Sequence, residues 1–372
     1  MLNLLTIIGA RPQIIKAAAI SRAIQYTFSG AIQEVILHTG QHYDENMSQV
    51  FFDELGIPEP DYNLGVGSCS HGIQTARIIE GIEKVLTSNH FDGVILYGDT
   101  NSTLAGAIAA SKLSVPVFHV EAGLRSFNMT MPEEINRIVC DHLSSILFTP
   151  TQTAVDNLQK EGLVNSDACF ADGKSRIVIN VGDVMYDNAL YFSGISATRS
   201  SILEEHGLNS EEYILATVHR DFNTDSPKRI DSIFKALSYI ADNYSIPIVL
   251  PLHPRTRKFL PSGISNRIKI IPPASFFEIL KLEKNARIVI TDSGGVQKES
   301  FFFSRPCIIL RPETEWIEIV EHGAGILADA DYERIIDAYD QLSGKEVFFP
   351  PLFGDGHASE KILSAIETYL RD

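Results

Sequence analysis

The chain has 372 residues, 44% of them hydrophobic and 21% charged, with 47 acidic against 31 basic side chains and a formal charge of −16. That length suits two domains with separate cores, and the composition is that of an ordinary folded protein. So acidic a chain is not built to coat nucleic acid or anionic lipid through its net field; its four scattered cysteines form no CxxC pair, which excludes a zinc ribbon or disulfide framework and suits a reducing cytoplasm.

The apolar start, residues 1–8, lacks a basic leader and runs straight into Gly9-Ala10-Arg11-Pro12, so it reads as a first strand and not as a signal peptide. No apolar run reaches the length of a membrane span. Short apolar runs at 4–8, 34–37, 93–97, 115–120 and 146–148 read as buried strands. Between them lie helical patterns at 14–26, 73–86, 103–112 and 134–147. A second set of strands follows at 176–181, 213–217, 246–250, 268–271, 287–291 and 307–310. Alternating strand and helix predicts parallel sheets covered on both faces. The expectation is an α/β protein of two doubly wound, Rossmann-like domains: 1–180, 181–353, and a terminal segment 354–372 whose helix returns to the first domain. No short repeat or low-complexity tract interrupts the pattern.

In such sheets ligands bind at the carboxyl ends of the strands, and two domains offer a cleft between them. The strand-end loops therefore carry the candidates. Gly9 to Gln13 leads into a helix with Lys16; Pro12 suits a first helical turn, whose free amides favour an anion that Arg11 and Lys16 would also attract. Asp99 follows Gly98 at a strand end, where helix capping is the plain alternative to catalysis. His119 and Glu121 share a strand face by alternation, and a Glu121–Arg125 ion pair is the structural alternative. Glu133 lies in a first helical turn after Pro132, one turn from Arg137, so an i,i+4 pair is the plain reading. In the second half, His219-Arg220 and His253-Pro254-Arg255 put cations at two strand ends, which suits a phosphate ester. Asp292-Ser293-Gly294-Gly295 runs from a buried strand into a helix, an anion cradle of backbone amides. Glu299, just over a turn further on, suits a ribose diol. Three acids and one histidine beside such a cradle suit proton transfer on a nucleotide-linked substrate. No redox fingerprint or clustered metal-ligand spacing is present, so neither metal nor cofactor is expected.

Taken in order, Gly9-Ala-Arg-Pro, His38-Thr-Gly-Gln41-His42, Gly98-Asp99-Thr, His119-Val-Glu-Ala-Gly-Leu-Arg125, Pro132-Glu-Glu-Ile-Asn-Arg137, Thr291-Asp-Ser-Gly-Gly295 and Gly354-Asp-Gly-His-Ala-Ser359 resemble the non-hydrolysing UDP-N-acetylglucosamine 2-epimerase family over almost the whole chain. The resemblance implies a GT-B architecture of two Rossmann-like domains. It implies interconversion of UDP-GlcNAc and UDP-ManNAc: UDP is eliminated to leave 2-acetamidoglucal, then re-added with the C2 proton delivered to the other face. It also implies a cytoplasmic homodimer serving surface polysaccharide synthesis, with a UDP-amino sugar as its partner and no consumed cofactor. By motif, Asp99, Glu121, Glu133 and His219 take the catalytic positions, and Arg11, Lys16, His253, Ser293, Gly294, Gly295 and Glu299 the nucleotide-binding ones. Asp99 and Glu133 are assigned the proton traffic, with Glu121 and His219 supporting the leaving group.

The chain departs from the family's usual bacterial pattern at Gly9-Ala-Arg-Pro-Gln13, at His219-Arg-Asp, at Gln41-His-Tyr43 and through 126–131. In this it resembles relatives that epimerise UDP-2,3-diacetamido-2,3-dideoxyglucuronate. A GT-B glycosyltransferase is the reading from another reaction class, and a non-catalytic nucleotide-sugar sensor a third.

Overall fold

The computed structural model describes residues 1–41, 56–165, 174–252, 257 and 260–371. Among them the chain divides into two compact units, residues 1–188 with 352–372, and residues 189–351. Each is built on its own parallel sheet.

In the first unit, strands β1 (Leu2–Ile8), β2 (Ile32–His38), β3 (Tyr62–Asn63), β4 (Gly93–Tyr97), β5 (Val117–Val120), β6 (Ile146–Thr149) and β7 (Ile177–Asn180) run in the order β3-β2-β1-β4-β5-β6-β7. The run at 176–181, expected to open the second set, is instead the last strand of this sheet, with Ile146 to Thr149 paired against Ile177 to Asn180. The long polar interruption before it separates it in sequence, but the exposed edge of β6 takes it up. The second unit holds β8 (Ile214–Thr217), β9 (Ile248–Pro251), β10 (Ile268–Ile271), β11 (Ile288–Thr291), β12 (Cys307–Ile309) and β13 (Gly325–Leu327), in the order β10-β9-β8-β11-β12-β13.

Both orders reverse direction once, between β1 and β4 and between β8 and β11. A doubly wound sheet leaves its ligand crevice at such a reversal, beyond the carboxyl ends of the strands. The central strands are short and apolar because they are covered on both faces. In the first unit, helices His71–Ser88 and Asn101–Lys112 bury Ile78, Ile82, Ala105, Ala107, Ala109 and Ala110 against Leu5, Ile7, Val94 and Leu96. In the second, helices Pro227–Asn243 and Tyr332–Ser343 bury Ile233, Phe234, Leu237 and Tyr339 against Ile248, Ile290 and Ile308. Completely burying one such Leu, Ile or Phe is worth about 1.5–3 kcal/mol, so each cluster can stabilise its own unit.

The chain leaves the first unit within helix Val184–Arg199 and returns to it at Leu352. Where the outgoing and returning segments touch, both need glycine. Gly182 (φ +90°) and Gly354 (φ +88°) lie backbone to backbone, and a Cβ on Gly182 would stand 2.7 Å from the Phe353 carbonyl oxygen. The returning helix Ala358–Arg371 is then capped by the buried Asp187, whose carboxylate accepts from the Ala358 and Ser359 amides at 3.0 and 2.8 Å. Its Ile362, Leu363 and Ile366 are buried, and it packs against helix Arg11–Tyr26.

Candidate functional site

The loop after β1 is built around Gln13. Its side-chain oxygen accepts from the Gly9 and Ala10 amides (2.9 and 3.2 Å), and its Nε2 donates to the Tyr97 carbonyl and to Thr103 Oγ1, both at 3.0 Å. Gln13 is buried, so this departure from the family pattern shapes the loop floor and does not reach outward. Arg11 opens the helix and is exposed; Lys16 lies one turn further along, with its side chain only 11% exposed.

Three carboxylates gather at the carboxyl ends of β4 and β5 and at the following helix, and each has a different environment. Asp99 accepts from Arg137 Nη2 at 2.5 Å, and its carbonyl from Asn136 Nδ2 at 2.8 Å. Glu121 is ion-paired with Lys16 and lies one residue beyond β5 in the left-handed region, φ +70°. Strand alternation with His119 therefore does not set its direction, and its cation is Lys16 where Arg125 was the sequence-level alternative. Gly98 (φ +60°) makes room for this pair: a Cβ there would meet Glu121 Oε2 and Lys16 Nζ, each at 3.2 Å. Glu133 stands in the first turn of helix Pro132–Leu143, half-buried. Arg137, its expected i,i+4 partner, reaches Asp99 and Glu134 instead. Among the described residues Glu133 has no ion-pair or hydrogen-bond partner, unlike Asp99 and Glu121.

Of the frame beneath these acids, sequence reasoning named His119 and Arg125 and left out the buried acids that join them. His119 is fully buried, with Nδ1 2.7 Å from Asp141 Oδ1 and Nε2 2.8 Å from the Gly98 carbonyl. Both neighbours are acceptors, so the ring satisfies both only as imidazolium. Burial alone would lower its pKa, but Cys140 and Asp141 prevail and hold it well above the ordinary histidine value. Asp141 is likewise buried; its contacts with His119 and Arg125 outweigh burial and lower its pKa. Arg125 bonds Asp141 at 2.7 Å and grips Glu161 with two parallel 2.7 Å bonds. Glu161, Arg125, Asp141 and His119 thus form one charged chain ending on the Gly98 carbonyl, next to Asp99. Glu134, 1% exposed, accepts from the Ser126 and Phe127 amides (2.9 and 2.8 Å) and from Arg137. Burial opposes, but those donors lower its pKa. It thereby ties the 126–131 loop to the guanidinium that holds Asp99.

In the second unit the corresponding anchor is Asp292, at the end of β11 and wholly buried. Its carboxylate accepts from the His219 amide (3.2 and 3.1 Å), the Arg220 amide (3.1 Å) and Asn223 Nδ2 (3.0 Å). His219 Nδ1 lies 3.5 Å from the same group while its ring is 55% exposed. Ser293 caps helix Gly294–Phe302 by accepting from the Val296 amide at 3.5 Å. A Cβ on Gly294 would meet Glu315 Oε1 at 2.5 Å, whereas Gly295 is exposed, which leaves an accessible helix N-terminus of the kind that binds anions. Arg311, 2.8 Å from Glu315, adds a cation that sequence reasoning passed over. Glu299 is the sixth residue of this helix. His253 lies outside the described residues, as do His42 and Tyr43. Among the described residues no helix is long and apolar enough to cross a membrane.

Two wholly parallel α/β sheets, with carboxylates at the strand ends of the first and an accessible helix N-terminus at those of the second, define a two-sheet protein of the GT-B type. The profile of the UDP-N-acetylglucosamine 2-epimerase family matches residues 26–367, and the chain belongs to that family: it is a UDP-sugar 2-epimerase, an isomerase. It is 48% identical to the UDP-2,3-diacetamido-2,3-dideoxy-D-glucuronate 2-epimerase of Pseudomonas aeruginosa, over 97% of this chain and 98% of that one. It is 41% identical to the UDP-N-acetylglucosamine 2-epimerase of Methanocaldococcus jannaschii, over 97% and 98%. A crystal structure of the M. jannaschii enzyme in complex with UDP-GlcNAc and UDP superimposes with a TM-score of 0.83 over 99% of this chain and 100% of that one. That of the Neisseria meningitidis UDP-GlcNAc 2-epimerase bound to UDP-GlcNAc, at 29% identity, gives 0.82 over 100% of both.

Proposed function

We propose that the protein inverts C2 of a UDP-linked 2-acetamido sugar by eliminating and re-adding UDP. The observation that carries this is the unequal treatment of the three acids: Asp99 and Glu121 each hold a cation, while Glu133 holds none among the described residues. A base takes the C2 proton as the C1–O bond breaks, and UDP leaves with the bonding electrons to give the 2-acetamidoglycal. UDP oxygen then returns to C1, and a proton is delivered to the opposite face of C2. Asp99 and Glu133 conduct the proton traffic. Glu121, with Lys16, supports the departing group, and so does His219 on its Asp292 anchor. The Ser293-Gly294-Gly295 helix end receives the diphosphate, where preorganised amides and cations lower the cost of the developing charge. Arg11 and His253 complete the nucleotide contacts, and Glu299 takes the ribose.

For the sugar, UDP-2,3-diacetamido-2,3-dideoxyglucuronate is the better supported, because the relative that bears that name is more similar to this chain than the M. jannaschii UDP-GlcNAc enzyme, 48% against 41%. UDP-GlcNAc is the second reading, favoured by the solved structures that contain it. The test is proton NMR of the purified protein in D2O with each nucleotide sugar in turn. Deuterium at C2 together with the 2-epimer is expected with the diacetamido uronate. Exchange with UDP-GlcNAc alone would keep the chemistry and change the sugar. Silence with both would overturn the epimerisation reading in favour of glycosyl transfer.

A further inference from the structure

The second unit contains a carboxyl group that the reaction does not use. Glu283, on helix Phe276–Asn285, is completely buried, and among the described residues no donor serves either of its oxygens. Leu282 of this helix and Ala286 at its C-cap join an apolar cluster with Tyr213, Leu215 and Val289. An ionised carboxylate without a partner in such surroundings is strongly disfavoured. The polar group set against it is another acid, Glu299, on the neighbouring helix Gly294–Phe302. Burial first, and the Glu299 charge second, push the Glu283 pKa well above the usual carboxylate range, so the side chain keeps its proton. A protonated carboxyl is a donor, and a carboxylate beside it an acceptor. Among the described residues, Cys307 on β12, whose thiol is pushed up to about 12 by burial, and Tyr213 just before β8 also lie near Glu283, with Arg305 beyond Tyr213. Cys307 and Tyr213 sit in that environment as neutral groups, and Arg305 is engaged with Glu211 at 2.6 Å. Glu299 is therefore the acceptor that the Glu283 proton serves.

We propose that Glu283 is a positioning residue: its carboxylic acid donates to the Glu299 carboxylate and fixes that side chain to receive a ribose diol. The inference rests on reading the second unit as the nucleotide site. It gives a physical reason for a buried acid that no cation neutralises: a neutral donor beneath Glu299 restrains it without competing for the ribose hydroxyls above.

The experiment compares UDP with 2′,3′-dideoxy-UDP, which lacks the diol, by calorimetry on the full-length protein. Glu283→Leu is expected to weaken UDP about ten-fold, the equivalent of one lost charge-assisted hydrogen bond, and to leave the dideoxy nucleotide unchanged. Glu283→Gln, whose amide also donates, is expected to keep UDP binding within about two-fold. In the wild type UDP affinity should decline as pH rises and Glu283 loses its proton, and in Glu283→Gln it should stay level. An infrared band of a protonated carboxyl, present in the wild type and absent from Glu283→Gln, reads the acid directly and needs no ligand. Equal losses for both nucleotides in Glu283→Leu would reduce Glu283 to a packing role, and no loss for either, or absence of the band, would overturn the proposal. Glu299→Gln separates the two readings. If it leaves UDP binding unchanged, the nucleotide site itself has been misplaced, whatever the infrared band reports.

Discussion

Glu133 and Arg137 lie one turn apart on one helix, and the structure gives them opposite duties. Glu133 spends its charge on no described neighbour. Glu133→Gln should therefore leave the unfolding free energy within about 0.5 kcal/mol of wild type, as at an ordinary unburdened position, while turnover falls by at least about 100-fold, the usual cost of losing a general acid or base. Arg137 is the shared guanidinium of Asp99 and of the buried Glu134. Arg137→Met should cost about 3–5 kcal/mol, because it strands a buried carboxylate among backbone amides, and it should lower turnover as well through Asp99. Urea unfolding and C2-deuteration rates on both variants check the pair; a stability loss in Glu133→Gln comparable to that in Arg137→Met would show that Glu133 is held after all. Sequence spacing made Glu133 visible, because an acid beside Pro132 at a helix start is a local signal. It misassigned Arg137, because the guanidinium's partners lie at a strand end 38 residues away and one turn back, and only the fold selects between i,i+3 and i,i+4. Asp141, and the anchoring role of Asp292, escaped for the same reason: a buried acid announces itself by its partners, and these partners are backbone amides and side chains distant in sequence.

Elements with a strong apolar run were legible to within a residue or two; the strands at 93–97 and 268–271 coincide with β4 and β10. The two-residue β3 and the three-residue β13 were not read, since runs so short carry no period, and each is held mainly by its neighbour's ladder. Membership was harder than existence, as β7 shows. The helical pattern at 134–147 ran on into β6 because both are apolar there; the helix ends at Leu143, and the Ser145 amide bonds the Val117 carbonyl as the chain turns into the sheet. The 126–131 loop is an element in its own right, with no apolar core, shaped by Glu134. Phe127 is held in it at φ +57° and is 73% exposed. A non-glycine residue in that region carries about 1–2 kcal/mol of strain, partly offset in a glycine by the greater freedom of the unfolded chain. Phe127→Gly should consequently raise stability slightly, by up to about 1 kcal/mol, where an aromatic-to-glycine change elsewhere would lower it. Thermal unfolding measures this directly, and a clear drop in midpoint would mean that the exposed ring is packed in solution.

At the scale of the molecule, each unit buries its own titrating group, so the two should respond to pH differently. In the first unit the His119 pKa is raised, and its stabilising contribution is complete below the unfolded histidine value of 6.5 and is lost as pH climbs through the folded one. Asp141 and Glu134 are lowered, so their contributions are complete above the unfolded values of 3.8 and 4.5 and disappear as pH falls. These three groups together favour the first unit most between those limits, roughly pH 4.5 to 6.5, while the buried Glu34 and Asp187, both raised by burial, add a contribution that is complete only at the acid end. In the second unit Glu283 is raised, so its contribution is complete below 4.5 and declines as pH rises from there toward its folded value. The single tryptophan, Trp316, is buried in the second unit, so its fluorescence follows that unit alone while circular dichroism follows both. Urea midpoints taken by both probes between pH 4 and 9 should show the fluorescence midpoint falling steadily above pH 5. The dichroism midpoint should also fall toward pH 4, and by more than the fluorescence midpoint, to which the partly buried Asp329 beside Arg229 adds an acid-side loss. Midpoints that stay level from pH 6 to 9 by both probes would mean that neither His119 nor Glu283 keeps a proton the unfolded chain would release. Glu283→Gln should remove the alkaline decline from the fluorescence trace and leave the remainder of the dichroism profile in place, because the two buried groups belong to different units.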